Sequence, residues 1–117
     1  MHSGILSLDV ETDEDVVTIR CNGELDMTVA GELRSAIEGA SRPNLKQITI
    51  DTTGLSFMDS SGLHCLIETK RRCEQHGTRL EVIPSRPVAR LLRLVGVADD
   101  LVGPAGATED TTSDDRR

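Results

Sequence analysis

Gln47-Ile48-Thr49-Ile50-Asp51 is the stretch on which the reading of this chain turns. Its β-branched centre and short length mark a strand. On its N-terminal side Val29, Leu33, Ala36, Ile37 and Ala40 fall at i, i+4, i+7, i+8 and i+11, one face of a helix over about 28–40, with Thr28 as its cap. Ser41-Arg42-Pro43-Asn44 breaks that period. On the C-terminal side Thr52-Thr53-Gly54 reads as a turn, followed by Leu55 to Met58 and then by a helix from about Ser60 to Gln75. Leu63, Leu66, Ile67, Lys70 and Cys73 follow helical spacing, with the Lys70 stem along the edge of the core and its head in water. Gly77 is the stop. A strand with a helix on either side belongs to a β-α-β unit, so the sheet must contain parallel neighbours.

Working outward, residues 5–10 form a short apolar strand, the acidic stretch 11–15 a turn, and Val16 to Cys21 a second strand ended by Asn22-Gly23, together a hairpin. Downstream, Arg79 to Ile83 is a further strand. Ser85 caps the next helix and Pro87 fits its first turn; Val88, Leu91, Leu92 and Val95 make its apolar stripe and Gly96 ends it. Residues 97–102 supply a last short element. The expected fold is α/β: one domain over residues 1–103, with a mixed, mostly parallel sheet of four to five strands and three to four helices. The strands from Gln47 and Arg79 are expected at its centre. Residues 104–117 read as a disordered acidic tail.

Composition narrows the function classes. The 117 residues favour one domain, and 37% hydrophobic with 28% charged residues is an ordinary soluble balance. A net charge of −7 argues against a nucleic-acid partner, and Phe57 as the only aromatic residue leaves no stacking platforms for bases. Cys21, Cys65 and Cys73 have no motif spacing and read as small core residues in a reducing compartment. No signal segment and no apolar run of spanning length is visible, so a cytoplasmic location without membrane contact is expected.

Chemistry concentrates in Leu55-Ser56-Phe57-Met58-Asp59-Ser60-Ser61-Gly62-Leu63, where a strand ends and a helix opens. Three uses of those residues compete. Asp59 or Ser60 caps the helix, worth about 1 kcal/mol. The helix N-terminus binds a phosphate, although the glycine-rich signatures for that are missing. A serine there accepts a phosphoryl group, which adds about −1.5 to −2 charge. A catalytic serine fits poorly: there is no G-x-S-x-G elbow, His2 lies at the terminus, and a lone His64 or His76 makes no triad. No His, Cys or carboxylate set has metal spacing, and Asp110, Asp114 and Asp115 read as a solvated charge run, so no cofactor is expected. A second segment, Gly23-Glu24-Leu25-Asp26, also follows a strand and precedes a helix. If its strand neighbours 47–51, Asp26 and Ser60 emerge at the same edge; Asp26 as a cap of the first helix is the plainer alternative.

Gly23-Glu24-Leu25-Asp26, Ile48-Thr49-Ile50-Asp51 and Phe57-Met58-Asp59-Ser60-Ser61-Gly62-Leu63 together resemble bacterial anti-sigma factor antagonists of the STAS family, over about residues 5–102. The resemblance implies a binding protein and not an enzyme. Its unphosphorylated form would bind an anti-sigma factor, itself a serine kinase, and so free a sigma factor for transcription, as in stress responses. Phosphorylation would release the partner and a serine phosphatase would reset the protein. The resemblance implies Ser60 as the phosphorylated residue, with Ser61 as the alternative. It implies a partner-binding surface of Asp26, Met27, Thr28, Met58, Asp59, Ser60, Ser61 and Gly62 with the exposed side of helix 60–75. Asp59 would present the hydroxyl and Asp26 would pair with a partner cation. His64 stands where many members carry a small residue, which bears on partner choice. A monomer is expected for the free protein. The competing readings are a STAS-type small-ligand or nucleotide-sensing module, and a hydrolase using Ser60 and His64.

Overall fold

A computed structural model describes residues 5–102. The expected tail at 104–117, with Asp110, Asp114 and Asp115, and His2 lie outside the described residues. The elements run β1 (Leu6–Asp13), β2 (Val16–Leu25), α1 (Ala30–Ala40), β3 (Gln47–Met58), α2 (Ser60–Gln75), β4 (Arg79–Pro84), α3 (Arg86–Leu94) and α4 (Ala98–Leu101). They build a four-stranded sheet in the order β1-β2-β3-β4. β1 pairs antiparallel with β2, while β2–β3 and β3–β4 are parallel. The mixed, mostly parallel α/β sheet is thus the one expected from the hairpin and the crossovers.

Several boundaries differ from the sequence reading. β1 continues through the acidic residues to Asp13, and the turn is confined to Glu14 and Asp15, with Glu14 at φ 57°. β2 runs past Asn22-Gly23 to Leu25. Thr52-Thr53-Gly54 is no turn but lies inside β3, a strand of 12 residues. Pairing explains this. From Arg20 to Leu25, β2 takes five steps, while β3 takes seven from Asp51 to Met58, so β3 bulges twice against its neighbour. The Asp51 carboxylate holds the bulge by accepting from the Thr53 amide at 2.9 Å and the Thr53 hydroxyl at 2.7 Å. The strand from Arg79 is not central; β2 and β3 are the inner strands. Residues 97–102 give α4 and then a single parallel bridge, Val102 to Val82, beside β4.

Packing follows the periodicity. Val17, Ile19 and Cys21 of β2, Leu33 and Ile37 of α1, Leu63, Cys65, Leu66 and Cys73 of α2, and Val88 and Leu92 of α3 share one core. Ile48, Thr49 and Ile50 are all buried, so β3 is covered on both faces. Buried hydroxyls are paired, Thr52 with the Ile83 carbonyl at 2.8 Å and Thr69 with the Cys65 carbonyl at 2.7 Å. Ser85 caps α3 through the Val88 amide, with Pro87 in the first turn. Gly77 ends α2 at φ 71°, a left-handed conformation that a side chain disfavours. Val95 departs from its expected stripe and is 47% exposed, because α3 has already ended at Leu94. Lys70 behaves as expected: it is half-buried, with its ammonium 3.8 Å from Glu74.

β2 and β3 run on beyond their outer partners. The last β3–β4 pair is Thr52 with Pro84, yet β2 and β3 stay paired to Leu25 and Met58. The loops that leave them carry the candidate site.

Candidate functional site

At the end of β3 the chain passes from Met58 into Asp59, which takes extended backbone angles and caps α2. Oδ1 of Asp59 accepts from the Ser61 amide at 2.8 Å and the Gly62 amide at 3.3 Å. These are donors that a helix start leaves without backbone partners. The capping reading is therefore right for Asp59, and Ser60 is the first helical residue. The other oxygen has a longer reach. Oδ2 accepts from the Met27 amide at 3.1 Å, across 32 residues of sequence. The Asp59 amide donates to the Leu25 carbonyl at 3.1 Å. One side chain thus holds the loop after β2 against the first turn of α2.

The loop after β2 has its own order. Oδ1 of Asp26 accepts from the Thr28 amide at 3.0 Å and the Thr28 hydroxyl at 2.6 Å. The Asp26 carbonyl accepts from the Val29 and Ala30 amides. Thr28 is therefore not the cap of α1: Val29 occupies that position and no side chain bonds there. The Asp26 carboxylate instead shapes the turn that leads into the helix.

Parallel pairing of β2 and β3 brings the two segments to one edge, with Asp26, Met27 and Thr28 beside Asp59, Ser60 and Ser61. Met27 is 75% exposed, Thr28 and Ser60 are exposed, and Asp26, Asp59 and Ser61 are half-buried. Met58 does not share this surface. It is 7% exposed and lies beneath the helix start, as the second bulge turns it inward beside Leu25. Gly62 is buried too: a Cβ there would sit 2.8 Å from Leu25 and from Met58, so only glycine lets α2 approach β2 and β3 this closely. Both residues support the surface from below.

The sequence reading gave no site role to Phe57. It pairs with Glu24 next to the site and is 45% exposed. Its status as the chain's one aromatic residue, at a strand end, was the available signal. His64, one turn past Ser60, has its side chain 67% exposed, with Nε2 3.9 Å from Glu68. Glu68 in turn lies 3.6 Å from Arg34 of α1.

The three thiols belong to the core. Burial pushes Cys21 up to about 12 and raises Cys65 and Cys73 as well. A thiol kept protonated is a poor nucleophile and ligand. Among the described residues no group of three or more His, Cys, Asp or Glu is placed to hold a metal ion, and no helix is long and apolar enough to cross a membrane.

Comparison with known proteins agrees with this architecture. The anti-sigma-B factor antagonist of Staphylococcus epidermidis is 24% identical over 95 residues, 80% of this chain and 88% of that protein. An anti-sigma factor antagonist from Mycobacterium paratuberculosis superposes with a TM-score of 0.78 at 23% identity, over 92% of this chain and 96% of that one. The anti-sigma factor antagonist SpoIIAA in its unphosphorylated form superposes with a TM-score of 0.65 at 25% identity, again over 92% and 96%. A sequence profile of the STAS domain matches residues 7–114. With that match over nearly its whole length, and a sheet and helix order shared with anti-sigma factor antagonists, the chain belongs to the STAS domain family.

Proposed function

We propose that this protein is an anti-sigma factor antagonist gated by phosphate on Ser60. Its unphosphorylated form binds an anti-sigma factor that is also a serine kinase, and the sigma factor held by that partner is set free. The kinase then moves the γ-phosphoryl group of ATP to the Ser60 oxygen, the hydroxyl proton passes to a base of the kinase, ADP leaves as the bond to its terminal oxygen breaks, and the complex parts. A serine phosphatase restores the hydroxyl with water, releasing inorganic phosphate. The protein binds and is modified but catalyses nothing itself.

The observation that carries this reading is the exposed Ser60 at the first position of α2, beside the Asp26–Thr28 loop that Asp59 ties in place. Ser61 is half-buried, which favours Ser60 over its neighbour as the acceptor. The docking surface consists of Asp26, Met27, Thr28, Asp59, Ser60 and Ser61 with the outer face of α2, while Met58 and Gly62 support it. Phosphate brings about −1.5 to −2 charge to this surface. Asp59 already occupies the Ser61 and Gly62 amides, so the new dianion finds those donors taken. It faces outward, next to two carboxylates, where a partner shaped for a hydroxyl must desolvate it. A loss of about 3 kcal/mol weakens binding by roughly a hundredfold, which is sufficient for a switch.

Mass spectrometry after incubation with the cognate kinase and ATP tests the proposal. One phosphate should appear, on Ser60, and Ser60→Ala should abolish it. Ser60→Asp should weaken binding to the anti-sigma factor roughly a hundredfold. Modification of Ser60→Ala on Ser61 at the original rate overturns the site. Equal binding by the phosphorylated and unphosphorylated protein overturns the switch.

A further inference from the structure

At the opposite end of α2 from Ser60 is a cavity of about 390 Å³. That is within the size range of small-molecule sites. Along the helix axis, Ser60 and Cys73 are roughly 20 Å apart at 1.5 Å per residue. The floor is apolar: Ile37, Leu45, Ile48 and Cys73 are each 5% exposed or less. The threonine hydroxyls in the wall are already used, Thr69 by the Cys65 carbonyl and Thr78 by the Leu45 carbonyl.

The rim has the opposite charge to the chain. Arg42, Arg72 and His76 line the cavity, and none of its 12 lining residues is acidic. This occurs in a protein with 20 acidic residues and a net charge of −7. Both guanidiniums keep donors to spare. Arg42 gives one nitrogen to the Glu14 carbonyl, and Arg72 has one nitrogen 3.7 Å from the Glu38 carboxylate. Each guanidinium has five N–H donors. The Arg72–Glu38 pair is exposed on both sides, so it is a weak competitor for an incoming anion.

We propose that this cavity binds a small aliphatic carboxylate, with its tail on the apolar floor and its carboxylate on Arg42 and Arg72. The tail gains by leaving water for an apolar floor, and the anion meets two permanent cations. The site is separate from the Ser60 surface and does not rest on the function proposed above.

Titration with octanoate, followed by amide NMR shifts, tests the assignment. Saturable shifts are expected within 41–48 and 69–78, with residues 26–28 and 59–61 unmoved. The Arg42→Gln/Arg72→Gln double variant should lose at least about tenfold in affinity, and octanol, which lacks the charge, should lose as much on the unaltered protein. Ser60→Ala should bind octanoate unchanged. Shifts that do not saturate or that spread over the whole surface, octanol binding as well as octanoate, or a folded double variant with unchanged affinity would each overturn the proposal. Should the double variant not fold, the octanol comparison decides alone.

Discussion

Replacing Asp59 separates its two tasks. Asp59→Ala removes the acceptor for the Ser61 and Gly62 amides and the acceptor for the Met27 amide. Losing an N-cap of this type costs about 1 kcal/mol. Losing a hydrogen bond to a charged acceptor costs about 1.5 kcal/mol. The sum is about 2.5 kcal/mol, and a domain of this size moves by roughly 4 °C per kcal/mol, so the expected fall in Tm is about 10 °C. Asp59→Asn keeps one carbonyl oxygen, and asparagine caps as well as aspartate does. The carbonyl can serve the helix, but the amide group then opposes the Met27 amide, and the expected fall is about half as large. Thermal unfolding followed by circular dichroism measures both. Hydrogen exchange adds a local check: Met27 should lose protection in Asp59→Asn while Gly62 keeps it. An Ala variant that melts within about 1 °C of the wild type, or an Asn variant that falls as far as Ala, would refute the two-task account.

Three other outcomes follow from the packing and the buried thiols. Gly62→Ala places a methyl 2.8 Å from Leu25 and Met58, and denaturant unfolding should show a loss of about 1–3 kcal/mol. Leu66→Ala empties a fully buried position in the middle of α2 and should cost about 2–5 kcal/mol in the same assay. Cys21 is pushed up to about 12 from the ordinary 9.0, mainly by burial, so above about pH 9 the unfolded chain gives up a proton that the folded chain retains. The Cys21 contribution to stability should therefore be constant below that pH and fall between about 9 and 12, by up to about 1.4 kcal/mol per pH unit, and the raised Cys65 and Cys73 thiols add to the fall. Urea midpoints on either side of pH 9 measure this, and Cys21→Ala should reduce the slope while leaving the part due to Cys65 and Cys73.

The elements most legible in the sequence are those whose signals are local. The α2 period, its Gly77 stop, and the Ser85–Pro87 entry of α3 are each written within a few residues of where they act. The neighbouring of Asp26 and Ser60 was also legible, because it needs only a parallel β2–β3 pair. Features set by distant partners were not. Thr52-Thr53-Gly54 has turn composition, but pairing with β2 and the Asp51 side chain keep it in the strand. The same bulging breaks the alternation that would have shown Met58 as buried and Phe57 as exposed. Asp59 could be recognised as a cap from its place before a helix. Its bond to the Met27 amide could not, because that requires the two loops to meet first.

The uneven strand lengths bear on how the molecule opens. Beyond Thr52 and Pro84 the sheet narrows to three strands, and past Leu6 and Gly23 to β2 and β3 alone, whose tip carries the two loops proposed to meet a partner. Such a cantilever, flanked by fewer ladders than the rest, can fray while the four-stranded base stays shut. A regulator that seizes the tip would brace a segment with low opening cost, and part of its grip would be spent on stiffening.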